Sequence, residues 1–209
     1  DYTYYFINLD PGVGIKKRIT VLDNSALAPA QTVNTFTHYG YHEVDILNIG
    51  EAGRCWLGDA YDATTVRSYS FALPPSTGQQ AVLNLSVAAQ SARVSNFTVA
   101  LNNATLGVAS IPALSGANMV ESETRDFTFI PNSTTMNITL TYSKPTTSSV
   151  GYLNYMEWQM QGQLQMYASQ FPFCNVELVL NSDVARYVIA DASNNVRVWD
   201  VTNPTSPVQ

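Results

Sequence analysis

Thr135 to Tyr142 runs TMNITLTY: Met136, Ile138, Leu140 and Tyr142 fall on one side of an extended chain, Thr135, Asn137, Thr139 and Thr141 on the other. Strict period two is the pattern of a β-strand with one buried and one wetted face. The same scheme recurs on both sides of this stretch. AVLNLSVAA (81–89) sets Leu83, Leu85 and Val87 against Asn84 and Ser86, and NFTVAL (96–101) sets Phe97, Val99 and Leu101 against Asn96 and Thr98. SYSFAL (68–73) aligns Tyr69, Phe71 and Leu73, and RDFTFI (125–130) aligns Phe127 and Phe129. One greasy and one polar face per strand is the habit of antiparallel sheets. Turn formers separate the runs: Pro74-Pro75, Asn102-Asn103, Pro131-Asn132 and Lys144-Pro145. No amphipathic helix of more than about two turns is apparent.

These readings predict an all-β fold, an antiparallel β-sandwich of jelly-roll type, with additional C-terminal strands. Its body is expected at residues 25–168, after an N-terminal strand pair at 1–24. Residues 169–209 then hold extra strands and an exit linker, with Asn194-Asn195 as a hairpin turn. Within the body, GYLNYMEWQMQGQLQMY (151–167) breaks the alternation. Leu153 and Tyr155 fall on one face and Met156, Trp158 and Met160 on the other, as expected for a central strand covered twice.

Only 12 % of the 209 residues are charged, against roughly 25 % in an average soluble domain, and the net charge is −6. An acidic chain whose only basic cluster is Lys16-Lys17-Arg18 lacks the stripe a nucleic-acid partner needs. No apolar run reaches the ~20 residues of a spanning helix, so no membrane insertion by this segment is expected. Two cysteines, Cys55 and Cys174, are compatible with one disulfide or with two thiols, Cys174 being placed in the core by its Phe-rich surroundings. Five N-x-Ser/Thr triplets begin at Asn84, Asn96, Asn103, Asn132 and Asn137, as an Asn- and Thr-rich strand face readily generates.

Residues 36–62 collect both histidines, Cys55, Trp56 and several acids. On a strand His38 and His42 share a face but stand about 13 Å apart, too far for one metal ion. A thiol nucleophile would need a histidine in reach, and nothing local around Cys55 resembles an oxyanion site. Asp59 with Asp62, or Glu121 with Glu123, are the candidate carboxylate pairs for glycoside hydrolysis, although acids so close in sequence are ordinarily capping or solvated groups. Tyr2, Tyr4, Tyr5, Tyr39, Tyr41 and Tyr61 are available as a sugar-stacking platform. No catalytic, cofactor-binding or metal role is assigned to any residue.

The stretch Tyr41-His42-Glu43-Val44-Asp45, then Asn48, Gly53-Arg54, Trp56, Gly58-Asp59 and Tyr61, resembles the region ahead of the peptidase domain in the gingipain-like sortases of the type IX secretion system, the PorU family. That family carries a charged H-E-x-D-like patch, an Asn, then S-G-R-x-W-x-G-E-x-F. Ala52, Asp59 and Tyr61 stand here for its Ser, Glu and Phe. Val198-Trp199-Asp200-Val201-Thr202-Asn203-Pro204 resembles the family's V-W-D-V-T-D-P, and Gly151 to Tyr155 its G-x-x-D-Y strand. The resemblance implies a non-catalytic module of an extracellular protein on the outer-membrane surface of a Bacteroidetes-type bacterium. It implies as partners a downstream cysteine peptidase domain of the same chain and secreted cargo proteins. The family's catalytic His and Cys belong to the domain after the W-D-V-T-x-P segment, and neither His42 nor Cys55 matches them. Glu43, Asp45, Asn48, Gly53, Arg54, Trp56, Gly58, Trp199 and Asp200 are thus expected to be structural, with Arg54 pairing Glu43 or Asp45 and Trp56 anchoring the loop. The alternative is a carbohydrate-binding module of a secreted glycan-utilisation protein; a purely architectural surface domain is the third reading.

Overall fold

A computed structural model describes residues 19–23, 26–50, 56–179 and 184–209. The expected N-terminal strand pair, the Lys16–Arg18 cluster, Tyr2, Tyr4, Tyr5, Gly53, Arg54 and Cys55 lie outside the described residues. The chain forms two units, one spanning 29–192 and one drawn from 1–28 with 193–209.

The larger unit is the sandwich. Its first sheet runs β2 (Thr35–Glu43), β10 (Val150–Gln163), β5 (Ala81–Gln90) and β8 (Glu121–Phe129), with β3 (Ala60–Tyr61) also on β10. Its second runs β4 (Val66–Ala72), β9 (Thr135–Ser143), β6 (Ser95–Leu101) and β7 (Ala104–Ile111). Every pairing in these two sheets is antiparallel. The eight long strands cross from sheet to sheet in the order of a jelly roll, so the antiparallel sandwich expected from period two is the fold. One pair departs from it: β1 (Gln31–Val33) and β11 (Ala185–Tyr187) form a separate parallel ribbon.

The greasy sets of the sequence face each other across the sandwich. Leu83, Leu85 and Val87 of β5 meet Phe97 and Val99 of β6 and Met136, Ile138 and Leu140 of β9, all buried in one cluster. Trp158 of β10 extends this core toward the β2 edge, its ring 4.5 Å from that of Phe71. It lies across Gly40 of β2, where a Cβ would stand 2.1 Å from the indole. Gly40 is therefore fixed by close approach, the strand giving up a side chain so that a larger one can cross it.

The alternation expected for 151–167 is wrong at one point. The β5–β10 register slips between Leu153 and Tyr155, and the bulge turns Leu153 and Met156 to the same inner face while Tyr155 faces out. Of the extra strands expected within 169–209, none occupies the described residues 171–179. Phe171 and Phe173 pack on Phe36, Tyr167 and Tyr187 instead of joining a ladder. Asn175 then opens the single helical turn α1 (Val176–Val179), its carbonyl accepting from Leu178 N–H at 3.1 Å. Cys174 is exposed rather than in the core. No described helix is long and apolar enough to cross a membrane.

Candidate functional site

β2 and the loop after it carry most of the residues singled out by sequence. Alternate residues of β2 point opposite ways: Phe36, His38, Gly40 and His42 inward, Thr37, Tyr39, Tyr41 and Glu43 outward. The two histidines thus share a face without sharing a ligand position. His42 packs its ring 5.2 Å from Tyr69 and 5.6 Å from Phe71, and His38 meets Phe36 edge-on at 6.2 Å. Burial holds the His38 pKa below its ordinary 6.5. Among the described residues no three His, Cys, Asp or Glu side chains converge to hold a metal ion.

Beyond β2 the chain turns back so that Leu47 and Leu57 exchange both backbone hydrogen bonds, at 2.9 and 2.8 Å. Leu57, fully buried with Ala88 and Tyr152, anchors this loop. Trp56, expected as the anchor, is 45 % exposed. One residue of offset decides it, because neighbours in extended chain face opposite ways. Gly58 donates to the Leu153 carbonyl at 2.7 Å, and a Cβ there would stand 2.6 Å from the Val44 carbonyl oxygen. Its glycine is required by space. Glu43 and Asp45 are both exposed. Partial burial, then the charge of Asp45, raises the Glu43 pKa. Asn48 is half-buried in the same loop.

Asp59, Asp62 and Glu121, weighed as members of candidate carboxylate pairs and read as ordinarily capping or solvated groups, each bind a neighbour. Asp59 accepts from Tyr69 Oη at 2.8 Å and faces Arg67 at 3.7 Å; Arg67 also donates to the Ala60 carbonyl at 3.0 Å. Tyr61, a proposed platform residue, is wholly buried against Phe97, and its hydroxyl meets that of Tyr69 at 2.9 Å. Burial drives the Tyr61 and Tyr69 pKa values above the ordinary tyrosine range, reinforced for Tyr61 by the bond to Tyr69. Asp62 instead pairs with Lys144. Glu121 is a loop clasp, accepting from Asn118 Nδ2 and Ser115 Oγ at 2.9 Å each, which lowers its pKa. Asp59, Asp62 and Glu121 each have a structural occupation.

In the smaller unit Trp199 is half-exposed. Asp200 exchanges backbone bonds with Val208 at 2.8 and 3.1 Å, and its carboxylate accepts from Thr202 N–H at 2.9 Å, which depresses its pKa. The W-D-V-T-N-P run is a turn closed by its own aspartate.

What remains open is the outer face of the first sheet. Tyr39 and Tyr41 are 57 % and 49 % exposed, and across the register stand Tyr155, Glu157 and Gln159 of β10. Tyr39 Oη donates to Glu157 at 2.7 Å, raising the Tyr39 pKa, and Tyr41 Oη donates to Glu43. Tyr41 and Tyr155 lie 6.4 Å apart with planes 28° from parallel. Farther across, Asn84 Nδ2 of β5 donates to Asp126 of β8 at 2.5 Å. Tyr39 and Tyr41 were legible as candidates. Tyr155, Glu157 and Asp126 were not, although the alternation of Tyr155, Glu157 and Gln159 with Met156, Trp158 and Met160 was the signal available.

No family model matches the chain, and no curated protein matches it. Among solved structures it is similar to dimeric latent PorU from Porphyromonas gingivalis, with a TM-score of 0.65 and 14 % identity, over 84 % of this chain and 17 % of that one. The chain thus spans under a fifth of that protein, and the likeness is one of fold. It is also similar, more distantly, to the carbohydrate-binding module CBM36 in complex with calcium and xylotriose (TM-score 0.38, 12 % identity, 60 % of this chain and 99 % of that one). A family 35 module, from Cellvibrio japonicus Abf62, gives a TM-score of 0.38 and 10 % identity over 62 % of this chain and 98 % of that one.

Proposed function

We propose that this chain is a non-catalytic β-sandwich module of a secreted, cell-surface gingipain-like peptidase or sortase of the type IX secretion system. It supports or positions a peptidase domain of the same protein, or receives its cargo. The observation that carries the reading is a coincidence of two independent signals. The motif residues from Tyr41 to Pro204 resemble that family, and a fold likeness to PorU extends over 84 % of the chain. The structural occupations of Asp59, Asp62, Glu121 and the two histidines agree with a part that does no chemistry itself.

The test is the encoding gene past the codon for Gln209. A caspase-like α/β segment with a His and a later Cys at strand ends is the expected result. A gene that stops there, or continues only into further β modules, overturns the reading. The glycan-binding alternative loses Tyr61 to the core and keeps the exposed Tyr39 and Tyr41.

A further inference from the structure

Among the described residues β2 is the edge strand of its sheet, paired on one side only, with β10. The Thr37 N–H is donated away from β10, to the Cys174 carbonyl at 2.7 Å, and the Thr35 carbonyl accepts from Asn175 Nδ2 on the same side. Backbone direction alternates along a strand, so the N–H and C=O groups of Tyr39, Tyr41 and Glu43 point to that side as well. The segment around Cys174 covers only the start of the edge. Among the described residues no backbone group pairs with Tyr39 or Tyr41 beyond it. An uncovered edge of this kind is a template for another strand.

Side chains say what that strand would carry. On the outer face the charged groups of β2, β10, β5 and β8 are Glu43, Glu157 and Asp126, with no cation among them. The Arg125 of β8 lies on the other side, donating to the Val108 carbonyl at 2.6 Å and resting on Phe127. An incoming strand's outward residues would stand beside Tyr39, Tyr41 and Glu43, where a basic side chain gains both a carboxylate and an aromatic face. Its inward residues would cover the half-buried His42 and Phe71, where an apolar side chain fits.

We propose that the open edge of β2, from Tyr39 to Glu43, takes an extended peptide segment of alternating basic and apolar residues as an added strand. This is strand addition in which backbone bonds give affinity and alternate side chains give selectivity. It stands on the geometry of β2 alone, whatever protein the module serves. A neutral glycan would use the tyrosines but neither the open backbone nor the uncompensated acids.

The experiment is calorimetric titration of the 209-residue chain with a synthetic Arg/Val alternating peptide, its Glu/Val counterpart and cellohexaose. Expected is binding of the Arg/Val peptide alone, weakened by rising salt. Replacing both Glu43→Gln and Glu157→Gln should weaken it by roughly 5-fold or more, two exposed charge contacts being lost. Tyr41→Pro, which removes an edge N–H, should abolish it while far-ultraviolet dichroism shows the sheet intact. No binding of the Arg/Val peptide, equal binding of the Glu/Val peptide, or indifference to the Glu43/Glu157 double variant overturns the proposal. Cellohexaose binding that Tyr41→Ala removes, with the peptide inert, also overturns it and gives the face to glycans.

Discussion

Strand β10 is two strands joined at a bulge, and its halves live differently. From Val150 to Leu153 it is covered on both faces: Gly151 and Leu153 face the inter-sheet core while Tyr152 is sealed outside with Leu57 and Ala88 under the returning loop. From Tyr155 to Gln163 only the inner face is covered, by Met156, Trp158 and Met160; Tyr155, Glu157 and Gln159 look outward beside Tyr39 and Tyr41. The inner faces are one continuous core. The difference lies outside, where the loop carrying Gly58 closes over one half and leaves the other as a surface. Leu57 and Gly58 of the returning loop build the cover, and the other half keeps its outer face open.

Trp158→Ala tests the shared inner face and should have the largest effect, about 3–5 kcal/mol by urea unfolding. A loss near zero would mean that the second half is not bound to the core at all. Tyr152→Ala against Tyr155→Ala tests the difference directly. Tyr152 is buried and its hydroxyl donates to Gln90 Oε1 at 2.7 Å, so its removal should cost about 3 kcal/mol, and that of half-exposed Tyr155 about 1 kcal/mol. Equal costs would break the distinction between the halves. Gly40→Ala should cost about 1–3 kcal/mol, because the Trp158 indole must leave its place over β2. Pairing it with Trp158→Leu should recover part of that loss.

Half of this contrast was legible in the sequence. In β9, every residue of the greasy set Met136, Ile138, Leu140 and Tyr142 is buried, as period two demands, and β6 follows the same rule; in β4 Tyr69 and Phe71 are only partly buried, and in β5 the outward Ser86 and Ala88 are buried too. Period two fails where a backbone irregularity rather than a side chain sets direction. Nothing in Leu153-Asn154-Tyr155-Met156 marks the slip at Asn154, since an inserted residue is invisible without its partner strand. The site was harder still. Trp56 is the expected anchor, yet the bridge with Leu47 turns Leu57 inward. Phe171 and Phe173 suggested a strand by their spacing, while their true use is an aromatic patch beside Phe36.

A smaller effect follows from pH at the inner face of the open half. His38 stands opposite Met160 in the register, and its folded pKa lies below the 6.5 of the unfolded chain. The unfolded state then takes up the proton first, so the stability His38 contributes is fully present above pH 6.5. It is lost as pH falls through 6.5 toward the folded value. His38→Phe should flatten the wild-type stability slope between pH 7 and 5; an unchanged slope would place the titration elsewhere.

The outer face of that half should give the smallest effect, and its smallness is informative. Glu157 is half-buried beside Tyr39, and Glu157→Gln keeps an acceptor for the Tyr39 hydroxyl while removing charge from a face with no cation on it. The expected change in unfolding free energy is within about 0.5 kcal/mol, the range of surface substitutions away from packing features. A group that barely affects stability yet sits in a fixed hydrogen-bonded pair with Tyr39 of the edge strand is one the fold can spare for a partner. If Glu157→Gln instead destabilises the chain by as much as Tyr152→Ala, the outward groups of the second half are scaffold like those of the first, and the asymmetry that leaves β2 open for binding disappears.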